Sequence, residues 1–224
     1  MTGTARAELA AVAGEASGWP SRLRDLPMGA DPRAAAVLIL FGVLDTLPAG
    51  REAQDAAVSR DLDVLLLARA TTLRAHPGQV AFPGGRLDPG DDGPVAAALR
   101  EAREETGLDP AGVEVLGALP QVPLEYSGHL VTPVLGWWRH PSPVGVVDVA
   151  ESAAVFRAPV ADLLDPRRRG VTVIRRDGQE WRGPAFELDG HLVWGFTAIL
   201  LDVLFDRLGW TESWDAQRVI ALPG

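Results

Sequence analysis

The first half of the chain contains two continuous runs of hydrophobic residues separated by polar loops. Residues 34–42 (AAAVLILFG) and 61–70 (DLDVLLLARA) are rich in aliphatic side chains, and short runs of this kind between turn residues are typical of buried strands. Further strands are predicted near 79–82, 113–118, 129–138 and 153–158. Residues 171–176 and 181–188 flank the dipeptide Asp177-Gly178 and predict a hairpin.

Helical patterns fall between these strands. Residues 94–106 predict a helix because Pro94 suits its first turn and Gly107 suits the position just past its end. Residues 195–208 (GFTAILLDVLFDRL) place apolar side chains along one broad face and predict a packed helix. Shorter predicted elements are a helix and turn-rich lead-in in 1–30, a loop or short helix in 46–59, and a short helix in 160–164. Strands and helices do not alternate regularly, so we predict an α+β fold with a mixed sheet and helices on both faces.

The amino-acid composition excludes several kinds of catalytic and binding site. The 224 residues are 47% hydrophobic and 23% charged, which fits one globular domain. All 21 basic residues are arginine and there is no cysteine, so lysine Schiff bases, cysteine nucleophiles and thiolate metal sites are excluded. The net charge of −9 disfavours nucleic-acid binding and suits a site for divalent cations. No signal-peptide pattern and no run of ~20 apolar residues is present, so we expect a cytoplasmic protein without membrane contact.

The segment REAREETGL at residues 100–108 is unusually acidic for a helix. Glu101, Glu104 and Glu105 are three and four residues apart, so their carboxylates share one face and repel each other. Arg100 can pair with Glu104, and a divalent cation can neutralise the remainder, because Mg²⁺ and Mn²⁺ prefer carboxylate and carbonyl oxygens. We expect a Gly84-Gly85 turn with exposed carbonyls beside them. In isolation such a helix is more often a solvated face, so its context decides.

That context resembles the Nudix box, G-x5-E-x7-R-E-U-x-E-E-x-G-U, in which U is aliphatic. The matching residues are Arg100, Glu101, Ala102, Glu104, Glu105, Gly107 and Leu108. The first half of the box departs from the pattern, because Gly85 lies one residue too far from Arg100. The first acidic position falls on Asp92 when counted back from Arg100, or on Asp91 when counted forward from Gly85.

The longer loop, together with the upstream segment LLLARATTLRAHPGQVAFPGG at 65–85, is similar to the coenzyme A pyrophosphatase branch of that family. Its signature is L-L-T-x-R-[SA]-x3-R-x3-G-x3-F-P-G-G, and Leu67 replaces the threonine. The matching residues are Leu65, Leu66, Arg69, Ala70, Arg74, Gly78, Phe82, Pro83, Gly84 and Gly85. Segments 127–136 and 191–198 also look like that branch. The resemblance implies a lead-in (1–33), a Nudix domain (34–208) folded as an α/β/α sandwich with a catalytic loop-helix-loop, and a tail (209–224).

The resemblance also implies an activity. We expect hydrolysis of the pyrophosphate bond of coenzyme A or its thioesters, with Mg²⁺ or Mn²⁺, to 3′,5′-ADP and 4′-phosphopantetheine or its acyl form. Glu101 and Glu105 are the expected central metal ligands, and Glu104 and the Gly84 or Gly85 carbonyl contribute. Arg100 is expected to orient a glutamate, while Arg69, Arg74, Gly84 and Gly85 bind substrate. For Arg69 and Arg74, a role in surface salt bridges is an equally weighted alternative to phosphate binding. The general base stays open among Glu101, Glu125 and Glu151, and a homodimer is implied.

Two other functions stay open. One is a Nudix hydrolase for another nucleotide, such as ADP-ribose, a dinucleoside polyphosphate or an oxidised nucleoside triphosphate, which the upstream signature disfavours. The other is a non-catalytic nucleotide-binding module, favoured by aspartate at the first acidic position and disfavoured by the three intact glutamates. Elsewhere, Trp137 and Trp138 are expected in the core or on a dimer surface. His76 is expected to form a loop hydrogen bond, and DPRRRG at 165–170 is expected to form a solvated turn.

Overall fold

The computed structural model describes residues 2–15, 19–20, 32–43, 48–73, 77–124, 128–176, 178–188 and 190–222. The helices are α1 (Thr2–Gly14), α2 (Gly93–Thr106), α3 (Val160–Leu163) and α4 (Phe196–Leu208), with a 3₁₀ turn at Pro110–Gly112. The strands are β1 (Arg33–Val43), β2 (Leu62–Arg69), β3 (Val80–Ala81), β4 (Gly84–Arg86), β5 (Val113–Ala118), β6 (Val122–Leu124), β7 (His129–Trp138), β8 (Ser152–Pro159), β9 (Arg169–Arg176), β10 (Gln179–Leu188) and β11 (His191–Val193). The predicted α+β class is confirmed.

Strand β1 lies at the centre of a mixed sheet. One side of β1 pairs with β7 in parallel over nearly its whole length. Its other side pairs with β4 at residues 35–37 and with β2 at residues 41–43. Between these pairings, the N–H of Leu38 donates to the carbonyl of Pro83 at 2.8 Å. Strands β1 and β2 are therefore paired only at one end of β1. At its other end, β1 pairs instead with the glycine strand β4, which thus lies inside the sheet.

Alternate residues of the central strands face two separate cores. Ile39 and Phe41 point into the cluster that contains α1 and α4, whereas Leu38, Leu40 and Leu65 point into the cluster beneath α2. Helix α2 contacts the sheet through the buried residues Ala97, Ala98 and Ala102. Helices thus cover both faces, as predicted, and the small alanine side chains allow α2 to lie close to β4.

The second sheet is built from β9, β10 and β11. It includes the predicted hairpin, and β10 contacts α4. The terminal segments pack on the same core: Leu9 of α1 and Trp210 are both buried there, and the indole N–H of Trp210 donates to Glu8 at 2.7 Å. No helix in the described ranges is long and apolar enough to cross a membrane.

Several sequence-based expectations differ from the structure. Gly84 and Gly85 do not form a turn; they belong to β4 and pair with Val37 and Ala36 of β1. A Cβ on Gly84 would lie 2.4 Å from the Ala36 carbonyl oxygen, so the strand pairing requires glycine there. Strands β6 and β11 were not predicted, because each has only three residues.

The basic cluster at 165–170 is not wholly solvated. The side chain of Arg169 is 1% exposed and forms an ion pair with Asp202. Its guanidinium also lies over the rings of Phe186, at 5.2 Å, and Trp214, at 4.6 Å. The prediction of a solvated turn was therefore wrong for Arg169, because β9 turns it into the core. Trp137 and Trp138 are buried, so the core interpretation holds for both.

Candidate functional site

The carboxylate of Glu105 is held against the glycine strand. Its Oε2 accepts a hydrogen bond from the backbone N–H of Gly84 at 2.9 Å. The pKa of Glu105 is raised to about 7, chiefly by burial and also by the negative charges of Glu101 and Glu151, against the opposing effects of the Gly84 hydrogen bond and Arg69. The side chain therefore lies where negative charge is only partly compensated, which favours an added cation.

Glu101 approaches the next residue of the same strand. A Cβ on Gly85 would lie 2.5 Å from the carboxyl carbon of Glu101, so the carboxylate occupies the space that any other residue would fill. Burial raises the pKa of Glu101, and the guanidinium of Arg100 acts against this increase. Glu101 and Glu105, one helical turn apart on α2, thus lie against the consecutive residues Gly85 and Gly84 of β4.

Arg100 holds the loop and the helix together. Its Nε and Nη2 donate to Asp91 at 3.0 and 2.9 Å, and its Nη1 donates to Glu101 at 2.9 Å and to Glu104 at 3.0 Å. Nη2 also donates to the carbonyl oxygen of Arg86 at 3.0 Å. The hydrogen bond from Arg100 lowers the pKa of Asp91. Through these hydrogen bonds, Arg100 fixes the position of Glu101 and anchors the loop that precedes α2.

The contacts of Arg100 also distinguish between Asp91 and Asp92, the two candidates for the first acidic position of the box. Asp91 binds Arg100, whereas Asp92 is the residue before α2 and makes no side-chain capping bond. Gly85 and Asp91 keep the spacing of the box, so the extra residue lies between Asp91 and Arg100. The role of the Arg86 carbonyl was missed by sequence reasoning, because a backbone acceptor leaves no signal in residue identity.

Glu104 lies apart from the other two glutamates. It is 58% exposed and contacts Arg100 on the outer side of the helix. The structure therefore brings together Glu101 and Glu105 at β4, rather than all three carboxylates. In the ranges that the structure describes, no group of three His, Asp or Glu side chains is arranged to hold a metal ion by itself.

Arg69, the last residue of β2, and Glu151, the residue before β8, both lie near Glu105. Both influence the pKa of Glu105, with opposite signs. Arg69 ends β2 opposite Ser152, the first residue of β8, and its Nε is buried without a hydrogen-bond partner among the described residues. Its backbone N–H donates to Gln79 at 3.0 Å. A buried, unpaired guanidinium N–H beside two carboxylates is suited to an anionic ligand.

The predicted residues Arg74, His76 and Glu125 lie outside the described residues. The segment 191–198, in contrast, has a visible role: the hydroxyl of Thr197 donates to the carbonyl of Val80 at 3.0 Å. This bond attaches α4 to β3, the strand that leads into the glycine strand. Sequence reasoning noted the segment but gave no contact for it.

Comparison with known proteins identifies the same region. The NUDIX domain family model matches residues 51–133. The chain is 42% identical over 146 residues to the uncharacterized Nudix hydrolase NudL of Cronobacter sakazakii, covering 65% of this chain and 75% of that protein. It is 40% identical over 151 residues to the NudL protein of Photorhabdus laumondii, covering 65% and 76%. The MutT/nudix family protein of Enterococcus faecalis matches the fold with a TM-score of 0.50 and 17% identity, over 91% of this chain and 74% of that one.

Proposed function

This chain belongs to the Nudix hydrolase family, and from that premise we propose that it hydrolyses the pyrophosphate bond of coenzyme A or its thioesters. The products are 3′,5′-ADP and 4′-phosphopantetheine or its acyl form. The observation that carries the proposal is the approach of Glu101 and Glu105 to the two glycines of β4, next to Arg69. These glycines end the segment 65–85 that resembles the coenzyme A pyrophosphatase branch, which supports a single site made of that segment and the acidic helix.

The donor set fits a hard divalent cation. Nudix hydrolases generally use divalent metals such as Mg²⁺ or Mn²⁺. In this chain we assign Glu101 and Glu105 as the ligands, with the Gly85 carbonyl as a further oxygen donor, because two half-buried carboxylates with raised pKa values are stabilised by positive charge. When bound, the cation supplies Lewis acidity and lowers the pKa of a coordinated water.

The neighbouring side chains position these groups. Arg100 orients Glu101, and the Gly84 N–H orients Glu105. Glu104 acts through Arg100, since its carboxylate lies on the exposed side. The Nε–H of Arg69 has no hydrogen-bond partner among the described residues, which supports its assignment as a donor to a phosphate oxygen. The resemblance assigns Arg74 the same task. Positioning and charge neutralisation of this kind are the main demands of phosphoryl transfer.

The reaction is attack by water on one phosphorus of the pyrophosphate. The bond from that phosphorus to the bridging oxygen breaks, the other phosphate leaves with the electron pair, and a base takes the proton of the water. Glu101 and Glu151 are the candidates for this base within the described residues, and Glu125 is a candidate outside them. A homodimer, a cytoplasmic location and the bounds of the Nudix domain stay predictions.

Chromatography of the products tests this function. The protein is incubated with coenzyme A and Mg²⁺ or Mn²⁺, in parallel with ADP-ribose and with a Glu105→Gln variant. Release of 3′,5′-ADP by the wild type, and its loss in the variant, is the expected result. Turnover of ADP-ribose without turnover of coenzyme A would retain the chemistry and overturn the substrate. Binding without any turnover would favour a non-catalytic nucleotide-binding module.

A further inference from the structure

Two exposed valines lie on the loop between β7 and β8. Val147 is 59% exposed and Val149 is 82% exposed, the highest value for a large hydrophobic side chain among the described residues. Single exposed aliphatic residues are common on protein surfaces, so exposure alone assigns no role. The position of this pair in the fold distinguishes it from the other exposed hydrophobic residues.

The loop is attached to the candidate site at both ends. The N–H of Gly145 donates to the carbonyl of Thr106 at 2.9 Å, and Thr106 directly follows Glu105 on α2. At the other end, the N–H of Ala70 donates to the carbonyl of Glu151 at 2.8 Å, and Ala70 directly follows Arg69 on β2. The loop that carries the two valines is therefore hydrogen-bonded to the residue after Glu105 and to the residue after Arg69.

The conformation of the loop keeps both valines at the surface. The side-chain carboxylate of Asp148 accepts a hydrogen bond from the N–H of Ala150 at 2.8 Å. The backbone carbonyl of Asp148 accepts one from the N–H of Ser152 at 2.9 Å. On the other side, Val147 reaches the end of α2, where its Cγ2 lies 3.7 Å from the position of a Cβ on Gly107. The turn is thus internally hydrogen-bonded, and both valines are exposed on it.

We propose that Val147 and Val149 are specificity-determining residues that contact the acyl chain of the substrate. This inference rests on the proposed function and deepens it, because it predicts a preference for acyl thioesters over free coenzyme A. The nucleotide half of such a substrate carries the phosphates and is suited to arginine. Valine offers neither a charge nor a hydrogen bond, and it is stabilised only by covering apolar surface, which the acyl chain supplies.

The test compares kcat/KM for coenzyme A, butyryl-coenzyme A and octanoyl-coenzyme A. The proteins are the wild type, the double variant Val147→Ser/Val149→Ser and the control Val219→Ser. Val219 is 56% exposed and is bridged to Val171 of the second sheet, so it matches the pair in exposure but not in position. Because all three side chains are exposed, thermal melting of the variants is expected to stay at the wild-type temperature.

The wild type is expected to favour octanoyl-coenzyme A, and the double variant to lose roughly three- to tenfold in kcat/KM for it, as expected for removing apolar contact. The loss for free coenzyme A is expected to stay below about twofold, and the control to match the wild type. Equal values for all chain lengths in the wild type, or an unchanged preference in the double variant, would overturn the inference and leave the proposed function standing. Failure of the wild type to hydrolyse any of the three thiols or thioesters would overturn both.

Discussion

The carboxylate of Glu105 and the backbone N–H of Gly84 form a 2.9 Å hydrogen bond that joins α2 to β4 across 21 residues of chain. A neutral amide donor compensates a negative charge only in part. The carboxylate is substantially buried, with Glu101 and Glu151 close enough to add negative charge, so its pKa is raised to about 7. The pairing thus places Glu105 at the glycine strand while leaving it in need of a positive partner.

Replacement of Glu105 by glutamine removes the charge and keeps an oxygen that can accept the Gly84 N–H. We expect the Glu105→Gln variant to fold and to lose kcat/KM for coenzyme A by at least ~100-fold, because even residues that only support metal ligands contribute 10–100-fold. Titration with Mn²⁺ followed by electron paramagnetic resonance should show weaker binding. The matched control is Glu104→Gln, which is 58% exposed and should cost far less. Full Mn²⁺ affinity in Glu105→Gln would contradict the assignment.

The same carboxyl predicts a pH dependence of stability in the metal-free protein. Between its ordinary pKa of 4.5 and the folded value of about 7, the folded state keeps the Glu105 proton while the unfolded state has lost it. The folded state then binds more protons, so the free energy of unfolding decreases as pH rises through this window, by at most about 3 kcal/mol. Below the window both states are protonated, and this contribution is fully present.

Thermal melting in EDTA between pH 4 and pH 8 measures this effect. The melting temperature of the wild type should fall, relative to that of Glu105→Gln, as the pH rises through the window between the ordinary and the raised pKa. Other titrating groups are common to both proteins and cancel in the difference. Parallel curves would show that Glu105 does not titrate at a raised pKa.

The close approach of Glu101 to Gly85 predicts that this position accepts only glycine. An alanine Cβ would lie 2.5 Å from the Glu101 carboxyl carbon and must displace it. We expect Gly85→Ala to reduce kcat/KM by roughly 100-fold, as expected when a reacting group is misplaced. Gly90→Ala is the matched control, because a Cβ at Gly90 meets no atom within 4 Å. Circular dichroism of both variants separates a local effect from unfolding, and wild-type activity of Gly85→Ala would contradict the placement.

Much of this organisation was predictable from local patterns. The strands β5 and β7 and the helix α2 were predicted to within one residue, because periodicity, Pro94 and Gly107 are properties of a single element. The shared face of Glu101 and Glu105 also follows from helical geometry alone. These predictions depend on neighbours in sequence, and they needed no knowledge of the rest of the fold.

Long-range pairing could not be predicted in the same way. A Pro-Gly-Gly sequence is typical of a turn, and only the pairing of β4 with β1 shows that Gly84 and Gly85 lie in a strand. Arg169 belongs to a basic segment whose composition is typical of a solvated turn. Only the fold places Asp202, Phe186 and Trp214 around it. In both cases the deciding partner is far away in sequence, and residue type carries no signal of it.

Asp91 and Asp92 lie next to each other before α2 but differ in their contacts. Asp91 is 7% exposed and receives two hydrogen bonds from Arg100, whereas the side chain of Asp92 makes no capping bond. Asp91→Asn removes the charge that orients Arg100, and we expect kcat/KM to fall by roughly tenfold or more, with Asp92→Asn within about twofold of the wild type. Because the effect acts through Arg100 on Glu101, Mn²⁺ affinity should fall in parallel. Equal losses in both variants would mean that the loop contributes only negative charge, and a loss confined to Asp92→Asn would place the first acidic position of the box one residue later.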